Sequence, residues 1–318
     1  MNRREARKLV TGHCERLVAS DRKLKSIFEI MFSRGFEVMA EWKESGEKRR
    51  MTFAEGEAAI RNAAFVLSKT IGARDEYVAL DMENGPEWII AFWAILMSGN
   101  RPYLVNRRHP AALTRGIVNT LNIMFSVAKG EINYPCMYID YDRELTITGH
   151  EDFGKEADAP FSDEFALSTS ATTLNEVICI YTGAQVSSQI LNCKGILLQN
   201  SLMPTFYNDA LKQLAFLPLY HIFGLMAVYF WFAFFGRTMV FMPDYTAESI
   251  LGTVKDFGVT HIFAVPVLWH TIEKQVKAQV HEKGAKTERK FYKGMKISTR
   301  LQSIFPKAGR KWARKMFR

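Results

Sequence analysis

Cysteine is scarce and unpaired in this sequence. Its four thiols, Cys14, Cys136, Cys179 and Cys193, make no Cys-x-x-Cys pair and no zinc-finger spacing with histidine. That excludes a zinc module and a disulfide scaffold, and leaves buried, reduced thiols as the expectation. The opening residues MNRREARKLVTGHCERLV carry too much charge to hold the apolar core of a secretory signal, so a cytoplasmic protein is expected. Ten prolines and twenty glycines are too few for a fibrous or disordered chain. There is no internal repeat and no low-complexity tract. Histidines are scattered without ligand spacing, and no Ser/His/Asp set or carboxylate pair stands out. No metal ligand and no catalytic residue is therefore assigned.

Acidic charge is missing from one place in particular. The chain carries a formal net charge of +9 from 42 bases and 33 acids. Between Ala285 and Arg318 there are twelve Lys or Arg and one acid, Glu288, leaving 30 bases against 32 acids elsewhere. The body is near neutral, which argues against a protein-wide nucleic-acid surface. The excess is local.

What is present is ordinary globular composition, 48% hydrophobic and 24% charged. Residues 1–50 read as a helical lead-in, Arg3 to Phe32, followed by a polar hairpin around Glu44-Ser45-Gly46-Glu47. Thr52 and Glu55 form a capping box that opens a helix with apolar positions Ala59, Ile60, Ala63, Ala64 and Leu67. Tyr77–Met82, Pro102–Val105, Ile123–Val127 and Cys136–Ile139 read as strands, and so do Leu214–Leu217, Thr238–Phe241 and His261–Ala264. Helices over Trp88–Met97 and Ala247–Phe257, the second closed by Gly258, lie among them. The alternation predicts an α/β fold of mostly parallel sheets flanked by helices. The expected segments are 1–50, a first α/β subdomain over 51–150, a second over 151–284, and a basic helical tail over 285–318. The acidic stretch His150–Glu164 marks the boundary between the subdomains. Leu214–Phe235 is apolar enough to raise a membrane span, but Pro218 and Gly224 interrupt it, and a buried strand, turn and helix are expected instead.

Three stretches bear on chemistry. Gly149–Lys155 has the glycine and lysine spacing of a Walker A loop, but two acids lie inside it and Glu156 stands where Ser or Thr would hold magnesium; it is rejected. Ser168–Asn175 places a cluster of hydroxyls at a strand exit, either a phosphate-binding loop or a Ser/Thr-rich turn. Phe216–Gly224 sets His221 and Tyr220 at a strand-to-helix corner, lining an apolar pocket or simply filling the core.

Taken in order, Thr52-Phe53-Ala54-Glu55, Val78-Ala79-Leu80, Asn84-Gly85-Pro86-Glu87-Trp88 and Phe92–Gly99 resemble the opening of AMP-forming acyl-CoA synthetases of the adenylate-forming ligase superfamily. Pro218-Leu219-Tyr220-His221-Ile222-Phe223-Gly224 is similar to that family's acyl-pocket motif, and Val259–Pro266 to its following strand and turn. The resemblance runs from about residue 50 to about 275 and implies the incomplete large domain of such an enzyme.

It also implies a phosphate loop of the pattern Thr-Ser-Gly-Thr-Thr-Gly-x-x-Lys. Tyr181-Thr182-Gly183 begins one such match. Thr169–Val177 retains Thr169, Ser170, Thr172 and Thr173 at the better distance from Pro218 and is chosen. There Ala171 and Leu174 replace both glycines and Val177 replaces the lysine. Glycine admits positive φ and a close backbone approach to phosphate, and lysine supplies charge. The resemblance thus implies ATP or AMP with magnesium, coenzyme A and a carboxylic-acid or acyl ligand near His221 and Tyr220, with nucleotide binding weakened. The segments that carry the family's adenine and ribose contacts and its catalytic lysine find no match before Arg318. The expectation is a truncated, inactive or weakly active ligase-like protein. Two alternatives stay open: one part of a split ligase completed by a second chain, and a non-catalytic acyl- or membrane-binding module using the basic tail at an anionic surface. No specific nucleic-acid partner is expected.

Overall fold

The computed structural model describes residues 3–71, 75–146, 160–169, 177–199, 211–305 and 312. The expected lead-in helix is broken in two, α1 (Arg3–Ala19) and α2 (Leu24–Phe32). Arg22 at φ 59° reverses the chain between them, and Asp21 Oδ1 accepts from Lys23 N–H at 3.1 Å and Ser26 Oγ–H at 2.8 Å. Such a local side-chain-to-backbone turn competes with helix, which apolar periodicity does not register. The polar hairpin is β1 (Val38–Glu44) and β2 (Glu47–Thr52), turned by Ser45 and Gly46, both at positive φ. The capping box forms as read: Thr52 N–H and Oγ–H donate to Glu55 Oε2 at 2.7 and 2.9 Å, and Glu55 N–H returns to Thr52 Oγ1 at 3.2 Å. It opens α3 (Phe53–Ile71).

Next come β3 (Tyr77–Asp81), α4 (Pro86–Met97), β4 (Arg101–Leu104), α5 (Ala111–Thr120), β5 (Phe125–Ala128) and β6 (Met137–Asp140), then a π-wound turn over Tyr141–Leu145. A hairpin, β7 (Glu164–Ser168) and β8 (Ile178–Thr182), leads into α6 (Gly183–Gln199). The chain continues through β9 (Lys212–Leu214), a helical run π-wound over Gly224–Phe230, β10 (Thr238–Val240), α7 (Ala247–Phe257) and β11 (His261–Ile262). Thr246 accepts from Ser249 N–H at the start of α7, and Gly258 at φ 65° ends it. The strand expected to reach Leu217 stops at Leu214 because the carbonyls of Ala215 and Leu217 are taken by a side chain, Asn84.

The α/β reading stands. One sheet of six strands runs β6-β5-β3-β4-β7-β8, parallel except for β7 against β8; a second of five runs β11-β9-β10-β1-β2, parallel except for β1 against β2. Val78, Leu80, Leu104, Val127 and Phe165 on one face of the first sheet join the main core, where α4 lies with Trp88, Phe92 and Trp93 fully buried. Its other face packs Tyr77, Ala79, Tyr103 and Val105 against Ile117 and Val118 of α5. The apolar stretch 214–235 is core: Trp93 Nε1–H donates to Tyr229 Oη at 2.6 Å, and Phe230 meets both Phe92 and Trp93 edge-on. No described helix is long and apolar enough to cross a membrane. Cys14 and Cys193 are buried thiols. These elements form one unit, Met1–Phe263; α8 (Pro266–Glu282) and α9 (Ala285–Ile304) belong to a second, Ala264–Arg318.

His13 of α1 is 6% exposed, with Nδ1 2.6 Å from the Phe234 carbonyl, so the neutral ring is the donor. Burial lowers its pKa to about 4 from 6.5, against the pull of that carbonyl. Below about 6.5 the unfolded chain takes up a proton that the folded chain refuses until about 4, so stability is complete above that window and declines through it as pH falls. Between about pH 7 and about pH 5 this group alone should remove about 2 kcal/mol. Urea unfolding at the two pH values checks it: His13→Gln should flatten the dependence by that amount, and an unchanged dependence would refute the assignment.

Candidate functional site

The first sheet builds a crevice by topology. Chain leaving β3 enters α4 on the main-core face, and chain leaving the adjacent β4 enters α5 on the other face. Where neighbouring parallel strands send their exits to opposite faces, a cleft opens at their carboxyl ends, the usual ligand position in such sheets. Here it is bounded by Glu83 and Asn84 after β3 and by Asn106, Arg107 and Arg108 after β4.

Asn84 joins this cleft to the second sheet. Its Nδ2–H donates to the carbonyls of Ala215 and Leu217 at 3.2 and 2.9 Å, and its Oδ1 accepts from Leu219 N–H at 2.9 Å. The corner it holds is Pro218–Gly224. His221 N–H donates to the Pro218 carbonyl at 3.2 Å, and the His221 carbonyl accepts from Leu225 N–H at 2.9 Å to start the buried helical run. Gly224 is obligatory for this corner, because a Cβ there would overlap the Pro218 carbonyl.

Of the two residues expected at an acyl group, Tyr220 is 8% exposed and His221 is exposed at the surface of the turn. Burial holds the Tyr220 phenol above its ordinary pKa, opposed by the nearby Arg108 and Arg107 and reinforced by Glu83. Phe216 and Tyr245 meet edge-on at 5.8 Å beside it.

A buried polar chain stands behind the cleft. Ser126 Oγ lies 2.8 Å from Tyr134 Oη, which donates to Asp81 Oδ2 at 2.9 Å; Asp81 Oδ1 takes Arg107 Nε at 3.1 Å, and Arg107 also reaches Glu83 at 3.5 Å. Burial raises the Asp81 carboxyl pKa, while Tyr134 and Arg107 favour its charge. Arg108 has its backbone N–H on Asn106 Oδ1 at 3.0 Å and no ion-pair partner among the described residues. Among the described residues the cleft thus combines one ion-paired cation, Arg107, with one that makes no ion pair, Arg108.

The loop chosen for phosphate joins β7 to β8. Because β7 runs parallel to β4, its exit at Thr169 opens on the same edge as Arg107 and Arg108. Thr169 N–H donates to the Val177 carbonyl at 3.0 Å, closing the hairpin mouth, and Val177 is 58% exposed. Ser170, Thr172 and Thr173 lie outside the described residues, as do Ala171, Leu174 and the rejected Gly149–Lys155 stretch. The rival Tyr181-Thr182-Gly183 sits at the far edge, where β8 ends and α6 begins. Thr182 N–H bonds Gln185 Oε1 at 2.8 Å, and Gly183 is required by close packing, since a Cβ would strike Leu24 N and Asp163. The sequence contained Arg107 and Arg108 in plain view after a strand, but their place at the cleft depends on strand order, and so does the role of Asn84. No group of His, Cys, Asp and Glu suited to a metal occurs among the described residues.

Residues 34–317 match the family model described as AMP-binding enzyme. Solved structures share the fold at low identity. The o-succinylbenzoate CoA synthetase MenE from Bacillus subtilis, in complex with the acyl-adenylate intermediate OSB-AMP, is 20% identical with a TM-score of 0.64, over 78% of this chain and 64% of that one. The inhibitor-bound N-terminal domain of FACL13 from Mycobacterium tuberculosis is 19% identical with a TM-score of 0.61, over 77% and 64%. The NpsA N-terminal subdomain from Klebsiella oxytoca, in complex with 3-hydroxybenzoyl-AMSN, is 15% identical with a TM-score of 0.59, over 76% and 59%. The chain spans 64% of the length of the MenE chain it matches.

Proposed function

The chain belongs to the AMP-binding enzyme family, and from that premise we propose that it presents the acyl- and nucleotide-facing side of an AMP-forming acid–CoA ligase while holding ATP only weakly. One observation carries the reading. The mouth of the loop between β7 and β8 is closed by Thr169 and Val177, and at 177, where the family pattern has lysine, stands an exposed valine. A triphosphate needs positive charge and close backbone N–H groups around it. A valine supplies no charge, the leucine at 174 adds bulk, and Glu176 adds a negative group. The loop as it stands fits a triphosphate poorly, and no adenylation step is assigned to it.

Ser170, Thr172 and Thr173 remain as hydroxyl donors to a phosphate oxygen, Thr169 would have to turn its hydroxyl from the Val177 carbonyl 3.4 Å away to join them, and Arg108 offers an anion the charge the loop lacks. Tyr220 supplies an apolar wall with a polar tip for an acyl chain, and His221 lies next to it at the surface. MenE is seen with the acyl-adenylate intermediate OSB-AMP and the NpsA N-terminal subdomain with 3-hydroxybenzoyl-AMSN. Those ligands support a carboxylic acid and its adenylate as the ligand class for this chain, and the family resemblance adds coenzyme A as acceptor.

The reading makes a quantitative distinction between nucleotides. A working phosphate loop favours ATP over AMP through the β- and γ-phosphates. Here ATP–magnesium and AMP should bind with dissociation constants within about threefold of each other and in the millimolar range, measured by isothermal titration. A preference for ATP of tenfold or more would show that the loop grips the triphosphate and would remove the basis of the proposal.

A further inference from the structure

We infer that the second unit carries a docking surface for an anionic phospholipid membrane, formed by the outward side of α9. Lys286, Arg289, Lys290, Lys293, Lys296 and Arg300 are all exposed, and none forms an ion pair among the described residues. Of the acids nearby, Glu273 pairs with Lys277 at 2.6 Å and Glu288 lies 3.0 Å from His281, while Glu282 is exposed with no ion pair among the described residues. Along α9 six bases stand against one acid, Glu288, and that cationic excess is what the helix offers to a partner.

Helical spacing arranges the bases in rows. Arg289, Lys293, Lys296 and Arg300 follow the i, i+4, i+7, i+11 pattern of one face. The adjacent row, Lys286, Lys290, Lys293, Ile297, Arg300 and Ile304, interleaves two isoleucines that are 37% and 68% exposed. Tyr292, 41% exposed, flanks the rows. The opposite side of the helix is turned inward through Gly294 and Ser298, both buried. An interfacial helix has this make-up: cations at the headgroups and aliphatic side chains in the acyl boundary between them. Nucleic acid would satisfy the cations but leave Ile297 and Ile304 without a partner, so the mixed face favours lipid. The inference is independent of the nucleotide reading and stands or falls without it.

The test is flotation of the full chain with vesicles in which phosphatidylglycerol makes up about a third of the lipid, against vesicles of phosphatidylcholine alone. We expect partitioning onto the anionic vesicles at least tenfold stronger, and a loss of about tenfold between about 0.1 M and about 0.5 M salt. Reversing Arg289, Lys293, Lys296 and Arg300 to Glu should weaken it roughly a hundredfold or more, about fivefold for each base removed. Ile297→Ser with Ile304→Ser should weaken it roughly tenfold while leaving the salt dependence in place. Equal binding to both vesicle types, binding that survives the charge reversal, or full release from vesicles by duplex DNA at equal phosphate concentration would each overturn the proposal.

Discussion

Gly224→Ala should destabilise the chain by about 3 kcal/mol or more and disorganise the Pro218–Gly224 corner. The added Cβ would fall on the carbonyl oxygen and carbon of Pro218 and near the carbonyl carbon of Leu217. All three are backbone atoms, so no flexible side chain can swing aside. The corner itself has little freedom to move. Asn84 holds the corner through two bonds donated to the Ala215 and Leu217 carbonyls and one accepted from Leu219 N–H, and His221 closes the turn on Pro218. Relieving the clash means breaking some of these, each worth about 1 kcal/mol, and leaving buried carbonyls unpaired costs more. Urea unfolding measures the loss. The tyrosine near the cleft provides a second readout, since Tyr220 is buried in the native corner and should become accessible to solvent in the variant. A variant as stable as the parent would mean that the corner is looser than its hydrogen bonds indicate.

The same corner shows where sequence reasoning succeeds and stops. The residues Pro218 to Gly224 stand out as a motif, but nothing in the motif says that its glycine is fixed by contact with its own proline, or that the clamp comes from Asn84, more than a hundred residues earlier. The capping box at Thr52 and Glu55 and the left-handed Gly258 at the end of α7 were legible because both are settled within one turn of chain. Buried strands such as β3 were legible as short apolar runs. The break at Arg22 was not, because Asp21 and Ser20 act through local side-chain bonds that periodicity ignores. Strand β8 was hidden for another reason. Its hairpin with β7 puts an antiparallel pair at the edge of an otherwise parallel sheet, and Tyr181-Thr182-Gly183 there resembles the beginning of a phosphate loop. Arg107 and Arg108 could be read only as a charged turn until the order of β3, β4 and β5 brought them to a cleft.

The largest expected gain of function comes from the loop. Ala171→Gly, Leu174→Gly and Val177→Lys together restore the family pattern. If the loop is to take the family's conformation, each glycine admits a positive φ that would cost a side chain about 1–2 kcal/mol. The lysine adds a charge-assisted contact to phosphate, worth about 1.5–3 kcal/mol. Some of this is spent on ordering the loop, so a net tightening of roughly a hundredfold is expected, or about 3 kcal/mol. Val177 is a safe position for the change. Its fold contact is made by the backbone carbonyl to Thr169, and its side chain is 58% exposed, so a longer cationic side chain displaces nothing from the core. AMP affinity should rise far less than ATP affinity, because the lysine reaches only the outer phosphates.

The decisive measurement is isothermal titration of ATP–magnesium into the native chain and into the Ala171→Gly, Leu174→Gly, Val177→Lys variant, side by side. Weak binding by the native chain with roughly hundredfold tighter binding by the variant is the predicted result, and it would identify an intact adenylate-forming scaffold whose phosphate loop has lost its grip. Tight binding by the native chain, unchanged in the variant, would contradict the account and return the loop to service as it stands.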